Sequence, residues 1–505
     1  MELERSIPKS INYQDVLPVA VPAVARRKKF FPANGTVFNH TGSNEIRVEI
    51  GSTNSMLDPQ HSYIEFFVDN QTGQTIGFDL GGGHVMFKEI RVEQGGRVLA
   101  REQEHNRLHA AILSVTQTNF DGQLTESASQ MQKGCNDRGG GAANQMVPMP
   151  YGAGPGPAQT DGEVFANLAH NAQNQLPANE AVKFVMAMPT GLFTQDKLIP
   201  LPLVRQDAPI TLVFSLGAED SVGCWNAAPV GDLNIIRFNY IAQMIEVGGD
   251  VIQQVKMMQE MGGGQLTISG TDIEQNSTTL PNGATGETPV RIPIRKRSAK
   301  SLLFVIHSED FGNGGAGGAE ENMFSLSFAG NASMEEYQLK VGSVVYPPTP
   351  IRCWGSPARA ATPARGLPIG ERGECALELA KALGSLGFTN PTGRLAGISY
   401  GVTPQRAVAL GEPQLTDGDN GNGAAPIGPI TNEIQSVCPF GLDLESFQHT
   451  AIESGVDSET MAMETTLILT IAGAGAGVET KTVQTYLVFD QHYYFNADGS
   501  VTFSN

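Results

Sequence analysis

Cysteine is scarce in this sequence and does not occur in a metal-binding pair. The 505 residues include five cysteines, which are Cys135, Cys224, Cys353, Cys375 and Cys438. An odd number of widely spaced cysteines without a Cys-x-x-Cys pair argues against a disulfide framework and against a structural zinc site. The simpler interpretation is a set of reduced thiols in a protein that folds inside a cell.

Positive charge and long apolar runs are also in short supply. The chain has 33 basic and 52 acidic side chains, a formal net charge of −19, so its body lacks the general positive field that attracts nucleic acid. No apolar run reaches the roughly 18 residues of a membrane-spanning helix, and the N-terminus lacks the regions of a signal peptide. We therefore expect no sequence-specific nucleic-acid binding, no spanning helix and no secretion through a signal peptide.

Motifs of common enzyme classes are missing as well. There is no Gly-x-Ser-x-Gly elbow to carry a hydrolase nucleophile. The segment Gly473-Ala-Gly-Ala-Gly477 lies between two predicted strands, which favours a hairpin connection over a phosphate-binding loop. The adjacent Glu219 and Asp220 follow the end of a strand and would point to opposite sides of an extended chain. We predict no catalytic residue, no cofactor-binding residue and no enzyme activity.

Two patterns resemble metal sites but are incomplete. His105 and His109 are four residues apart on a predicted helix, so both would lie on one face, where a metal could be held. The sequence offers no apparent third ligand, which favours a surface or capping role for the pair. The segment Asp417-Gly-Asp419-Asn420-Gly421 resembles a calcium loop, yet its glycines are misplaced and no bidentate Glu follows at the twelfth position. The sequence therefore predicts no metal ligand.

The sequence is rich in short strands separated by turns. From Val37 onward apolar and polar residues alternate with a period close to two, and 58 glycines and 30 prolines separate the alternating runs. The stretch Phe184–Leu216 reads as three strands joined by two turns. One amphipathic helix, predicted at Glu102–Val115, lies alone among the strands of the first half.

The second half repeats the order of the first. Tyr63–Val68 has its counterpart at Ser301–Ile306, Ile210–Leu216 at Thr465–Ile471, and a second amphipathic helix is predicted at about 371–386. Long connections rich in Gly and Pro suit eight-stranded sandwiches better than barrels or propellers, which use short, regular turns. The sequence predicts an all-β fold of two tandem eight-stranded jelly-roll sandwiches, a double jelly roll, with one short helix inserted in each and long loops.

This repeat suggests a division of the chain into four parts. We expect an extended N-terminal arm at residues 1–34, a first jelly roll at 35–250, a linker at 251–264 and a second jelly roll at 265–505. The arm contains an apolar run interrupted by Pro18 and Pro22, followed by four consecutive cations at residues 26–29. Such an arm could lie along a partner subunit or touch an anionic surface. The alternative is a disordered tail with solvated cations.

Four stretches, in this order, carry a family resemblance: Met188–Phe193 with Leu198–Val204, Tyr337–Ile351, Gly441–Ser446 and Phe489–Val501. Together they span both halves of the chain, and none is a catalytic motif. With them the sequence resembles the double jelly-roll major capsid proteins of icosahedral double-stranded DNA viruses, most closely those of the virophage and polinton-like group.

The resemblance implies a structural major capsid protein whose homotrimers have a pseudohexagonal outline and tile an icosahedral shell in the virion. Implied partners are neighbouring capsomers, penton and minor cement proteins and, through the N-terminal arm, an internal membrane or the inner surface of the shell. Assembly would take place inside the host cell. The alternatives are a β-sandwich carbohydrate-binding or fibre-like attachment protein, for which two Trp and 7% aromatic residues give little support, and a β-rich hydrolase with a carboxylate pair.

Overall fold

A computed structural model describes residues 23–71, 73, 76–78, 82–113, 175–176, 179–188, 191–195, 197–217, 224–225, 233–280, 286–308, 327–328, 334–353, 373–384, 435–436, 439–446, 455–459, 464–471 and 481–504. The segments Gly473–Gly477 and Asp417–Gly421, the pair Glu219–Asp220 and residues 1–22 of the predicted arm lie outside these ranges.

The first half forms two facing antiparallel sheets. Its strands are β1 (Ala23–Phe30), β2 (Val37–Phe38), β3 (Glu45–Ile50), β4 (Ser55–Asn70), β5 (Ile76–Phe78), β6 (Phe87–Gln94), β7 (Arg97–Gln103), β8 (Gln175–Leu176), β9 (Ala181–Ala187), β10 (Ile210–Leu216), β11 (Cys224–Trp225) and β12 (Leu233–Val247). One sheet has the order β1-β12-β4-β9, with β2 also paired to β12, and the other has the order β3-β10-β6-β7. The short strands β5, β8 and β11 form a separate small sheet.

The second half repeats this arrangement. Its strands are β13 (Gln265–Leu280), β14 (Gly286–Ile292), β15 (Ala299–Ser308), β16 (Ser327–Phe328), β17 (Met334–Val341), β18 (Val344–Arg352), β19 (Gln435–Ser436), β20 (Phe440–Asp443), β21 (Thr465–Ile471), β22 (Lys481–Asn496) and β23 (Val501–Ser504). The sheets have the orders β13-β22-β15-β20, with β23 added to β22, and β14-β21-β17-β18. Within the described ranges, each half thus has eight principal strands in the same sheet positions, and the prediction of two tandem jelly rolls is confirmed.

The sheets form because alternate residues of their strands are apolar. Ile46, Val48 and Ile50 of β3 are fully buried, while the residues between them face outward. In β4 the same alternation buries Ile64 and Phe66. Since successive side chains of a strand point to opposite faces, this pattern directs one face of each sheet into the sandwich.

The repeat extends to the side chains of the two cores. Each roll contains a trio of buried aromatic rings, and the trios are Phe66, Phe87 and Phe184 in the first roll and Phe304, Tyr337 and Phe440 in the second. In both, the ring of β4 or β15 stacks on the ring of β9 or β20, with centroids 5.4 and 5.1 Å apart. The same ring meets the third member edge-on, with centroids 5.2 Å apart in each roll. These packing geometries are favourable for aromatic pairs.

One helical segment follows β7 in the first roll and another follows β18 in the second. The first is α1 (His105–Arg107), which continues as a π-helix over Leu108–Leu113; the second is helix Gly373–Gly384. The predicted helix at Glu102–Val115 therefore begins later than expected, because β7 continues to Gln103.

The stretch Phe184–Leu216 contains two strands rather than the three predicted. β9 and β10 are present, but between them lie the short helix α2 (Gly191–Thr194) and a 3₁₀ turn at Leu201–Leu203. The middle segment makes one isolated bridge, from Ile199 to Leu57. Pro200 and Pro202 have no backbone N–H to donate to a neighbouring strand, which explains why a full strand does not form.

A longer helix, α3 (Gly249–Met261), lies between β12 and β13, near the predicted linker. The predicted domain boundaries stay predictions. The helix at Gly373–Gly384 is α4, and a second 3₁₀ turn spans Gly82–Met86. Among the described residues, no helix is both long enough and apolar enough to cross a membrane.

The two rolls share their cores. Tyr493, Phe495 and Val501 of the second roll pack into the core of the first. In the other direction, Leu108 and Ile112 of the π-helix pack into the core of the second. The rolls are therefore joined by apolar packing as well as by the chain.

Candidate functional site

The described residues bring three histidines together at one end of the first roll. His84 lies on the 3₁₀ turn just before β6, and His105 and His109 lie on the helical segment just after β7. Because β6 and β7 are antiparallel neighbours, the first residues of β6 and the last residues of β7 lie side by side at the same end of the sheet. This His cluster, which comprises His84, His105 and His109, thus lies at the start of the long connection between β7 and β9.

The nitrogen atoms of the His cluster are close enough to share one ion. Nδ1 of His84 is 3.0 Å from Nε2 of His105. The rings of His84 and His109 are stacked with centroids 3.9 Å apart, and the rings of His105 and His109 are 4.3 Å apart. One nitrogen from each residue can be chosen so that all three lie within 4.8 Å of one another.

The expectation that His105 and His109 have a surface or capping role is wrong. His105 is fully buried and His109 is 7% exposed, as is expected for a segment that packs between the two rolls. The third histidine, for which the sequence offered no indication, is His84, and its side chain is 6% exposed. It comes from a different strand connection, so no spacing within the helix could indicate it.

A buried carboxyl group orients His105. Oε1 of Glu102 lies 3.0 Å from Nδ1 of His105, and both side chains are almost completely buried. When Glu102 is ionised, Nδ1–H of His105 donates to it and the Nε2 lone pair faces His84. When Glu102 is protonated, it donates to Nδ1, and Nε2–H then donates to Nδ1 of His84.

Burial controls the protonation of this end of the roll. It raises the pKa of Glu102 to about 8 and lowers the pKa of His105 to about 3. It also lowers the pKa of His109, and the neighbouring His84 and His105 lower that pKa further. His105 and His109 are therefore held as neutral imidazoles, the form that carries a lone pair for hydrogen bonding or metal coordination.

His109 has an unusual environment for a polar side chain. Neither Nδ1 nor Nε2 has a hydrogen-bond partner, although both atoms are buried. An unsatisfied buried polar group costs about 1–3 kcal/mol of stability. The ring of His109 contacts the rings of both His84 and His105.

A different kind of candidate site is the basic edge strand β1. It pairs with β12 over its full length, but all its residues except Phe30 are exposed. Arg26 lies 3.4 Å from Glu246, and Lys29 lies 3.4 Å from Glu65. Two of the four consecutive cations at residues 26–29 thus pair with carboxylates of the sheet, on a protein whose net charge is −19.

No protein-family model matches the sequence, and no curated protein matches it. Solved structures do match the fold over nearly the whole chain. The major capsid protein of mavirus is 11% identical, with a TM-score of 0.50, and the match covers 100% of this chain and 96% of that one. A chain of the Sputnik virophage structure is also 11% identical, with a TM-score of 0.54 and coverage of 100% and 92%.

A chain of the PBCV-1 virus capsid is 9% identical, with a TM-score of 0.51, and the match covers 98% of this chain and 99% of that one. The structures that share the fold thus include major capsid proteins, as the resemblance in the sequence led us to expect. At identities this low the likeness is one of fold.

Proposed function

We propose that this protein is a viral major capsid protein whose homotrimers form pseudohexagonal capsomers that tile an icosahedral shell. The observation that carries the proposal is the presence of two jelly rolls of identical strand order in one chain. Three copies of such a chain present six similar lobes, and six similar lobes pack a hexagonal lattice. The match in fold to capsid proteins over nearly full length supports the same function.

The proposal includes the partners of the chain. An obligate trimer buries on the order of 2,000 Å² or more at its subunit interfaces. We place part of that interface in residues 117–180 and 352–370, where abundant Gly, Pro and Ala permit close backbone approach. Most of these residues lie outside the described ranges. Neighbouring capsomers, penton proteins and minor cement proteins would complete the shell.

The first test is the mass of the purified full-length chain. Size-exclusion chromatography with light scattering should give three times the chain mass of 53.7 kDa, and negative-stain microscopy should show particles of hexagonal outline or closed shells. A monomer at micromolar concentration would count against the trimer. Slender fibres, or sugar binding without any lattice, would instead favour an attachment protein.

A further inference from the structure

We propose that the His cluster is a binding site for a transition-metal ion, and that Zn²⁺ is the ion its ligands fit best. The sequence by itself predicts no metal ligand, so the proposal rests on the geometry of His84, His105 and His109. It is independent of the capsid function, since it concerns one chain.

The spacing of the first two ligands suits a tetrahedral ion. Two nitrogens bound to one zinc at about 2.0–2.1 Å lie about 3.3–3.4 Å apart. The separation between Nδ1 of His84 and Nε2 of His105 is 3.0 Å. A small outward shift of the two rings would therefore place an ion between them.

The third ligand is His109, whose two nitrogens are buried without a partner. An ion would satisfy one of them, which gives a reason for a polar ring at a position that apolar residues could fill. The rings of His84 and His109 are parallel, at an interplanar angle of 8°. They must tilt for their nitrogens to converge on one ion, and this rotation is the main rearrangement that binding requires.

In its ionised form, which leaves the Nε2 lone pair of His105 free, Glu102 supplies the support that metal-binding histidines usually have. A carboxylate that accepts a hydrogen bond from the remote ring nitrogen fixes the tautomer and the orientation of the ligand. Oε1 of Glu102 lies at hydrogen-bond distance, 3.0 Å, from Nδ1 of His105, the nitrogen that does not face His84. Glu102 is therefore a positioning residue for His105.

The ligand set also selects the class of ion. Imidazole nitrogens suit Zn²⁺, Cu²⁺ and Ni²⁺, whereas Ca²⁺ and Mg²⁺ prefer oxygen ligands. Three protein ligands leave a fourth position of a tetrahedral zinc for a solvent molecule. Once bound, the ion would link the turn Gly82–Met86 to the helical segment after β7, and so fix the start of the long connection to β9.

The experiment uses the full-length chain without a histidine tag, treated with a chelator and then titrated with Co²⁺ as a spectroscopic substitute for Zn²⁺. We expect one Co²⁺ to bind per chain, with the intense visible bands that tetrahedral cobalt gives. Added Zn²⁺ should displace the cobalt and raise the melting temperature. If the folded, metal-free chain binds neither ion at a one-to-one ratio, the cluster is a neutral hydrogen-bonded network and the proposal is wrong.

Variants locate the ion. His109→Gln should lower the affinity at least 100-fold, and Glu102→Gln should lower it about 10- to 100-fold. His61→Gln is the matched control, because the His61 side chain is 73% exposed and lies outside the cluster; it should bind as the wild type does. Equal affinity in a folded His109→Gln variant would overturn the assignment.

A variant that fails to fold does not leave the question open. X-ray absorption of the wild-type chain with Zn²⁺ bound counts the imidazole ligands directly. Three imidazoles support the site, and fewer than three would place the ion elsewhere.

Discussion

At the scale of single residues, the clearest electrostatic feature outside the His cluster is Glu65 on the outer face of β4. Oε2 of Glu65 lies 2.6 Å from Nζ of Lys183 on β9, and Oε1 lies 3.4 Å from Nζ of Lys29 on β1. The hydrogen bond from Lys183, together with the charges of both lysines, lowers the pKa of Glu65. Glu65 thus joins three strands of one sheet.

The lowered pKa predicts a specific response to acid. Because the folded state favours the carboxylate, the ion pairs stabilise the fold fully above the ordinary Glu pKa of about 4.3 and are lost as the pH falls through the lower folded pKa. Glu65→Gln should therefore cost about 0.2–1 kcal/mol at pH 7. The difference from wild type should shrink towards pH 3, as measured by urea unfolding at each pH.

Glu445 provides a control, because its pKa is raised whereas that of Glu65 is lowered. Burial is the main cause that raises its pKa, despite the nearby Lys300. The protonated form is favoured in the folded state, so Glu445 contributes stability at low pH that is lost as the pH rises. If the stability difference from wild type changes with pH in the same direction for Glu65→Gln and Glu445→Gln, the opposite pKa directions given for the two carboxyl groups are wrong.

At the scale of elements, the π-helix Leu108–Leu113 belongs to the first roll by sequence but packs into the core of the second. Leu108 and Ile112 are fully buried there. A π-helix places its residues differently from an α-helix, and such segments are often found at functional sites. Here it carries both His109 of the cluster and the apolar contacts between the rolls.

Shortening one of the buried side chains of this π-helix should destabilise the second roll. Leu108→Ala or Ile112→Ala should cost about 2–5 kcal/mol, because each removes a fully buried aliphatic side chain. Hydrogen exchange should become faster in β15, which the segment contacts. Leu198→Ala is the control, since Leu198 is 38% exposed. Unchanged protection of β15 in the Leu108 variant would contradict this role.

The basic strand β1 leads to a prediction about assembly. Its backbone pairs with β12, so residues 23–30 belong to the sheet, whereas residues 1–22 precede it. If the chain forms the proposed trimers and shells, removal of residues 1–22, or the double change Arg26→Gln and Lys28→Gln, should leave trimers intact and reduce shell formation, as counted by electron microscopy. Lys256→Gln, on the exposed face of α3, is the matched charge control. Normal shells from both altered chains would rule out an assembly role for the arm.

The local pattern of apolar and polar residues predicts most of the strands and helices described above. It is insufficient where the fold brings together segments that are distant in the sequence. The alternation in β3 and β4 indicates strands directly, since one face of each must be buried. The Pro200 and Pro202 region was predicted wrongly because an apolar run of that length suits either a strand or a buried turn. His84 could not be found, since it is 21 residues from His105 and only the pairing of β6 with β7 brings them together.

At the scale of the whole molecule, the two rolls approach so closely that glycine is required at the contact. A Cβ atom at Gly191 would lie 2.7 Å from the carbonyl oxygen of Thr271, and one at Gly270 would collide with the carbonyl oxygen of Gly191. Both obstacles are backbone atoms, which cannot rotate away. The relative position of the rolls therefore depends on these two residues.

Gly191→Ala should push the rolls apart and destabilise the protein by about 1–3 kcal/mol, the usual cost of overpacking. Gly249→Ala is the control, because a Cβ atom there meets nothing within 4 Å; alanine near the start of α3 should be neutral or slightly stabilising. Urea unfolding monitored by intrinsic fluorescence measures both. Equal stability of the two variants would show that the contact tolerates a larger separation.

The shared core of the rolls also has a consequence for biosynthesis. The side-chain oxygen of Gln94 accepts a hydrogen bond from the backbone N–H of Val501, 407 residues later in the chain. At translation rates of roughly 5–20 residues per second, the ribosome makes Val501 roughly 20–80 s after Gln94. The core of the first roll is therefore incomplete during this interval, because some of its residues have not yet been synthesised. A nascent chain that stops before Val501 therefore lacks part of the core of the first roll.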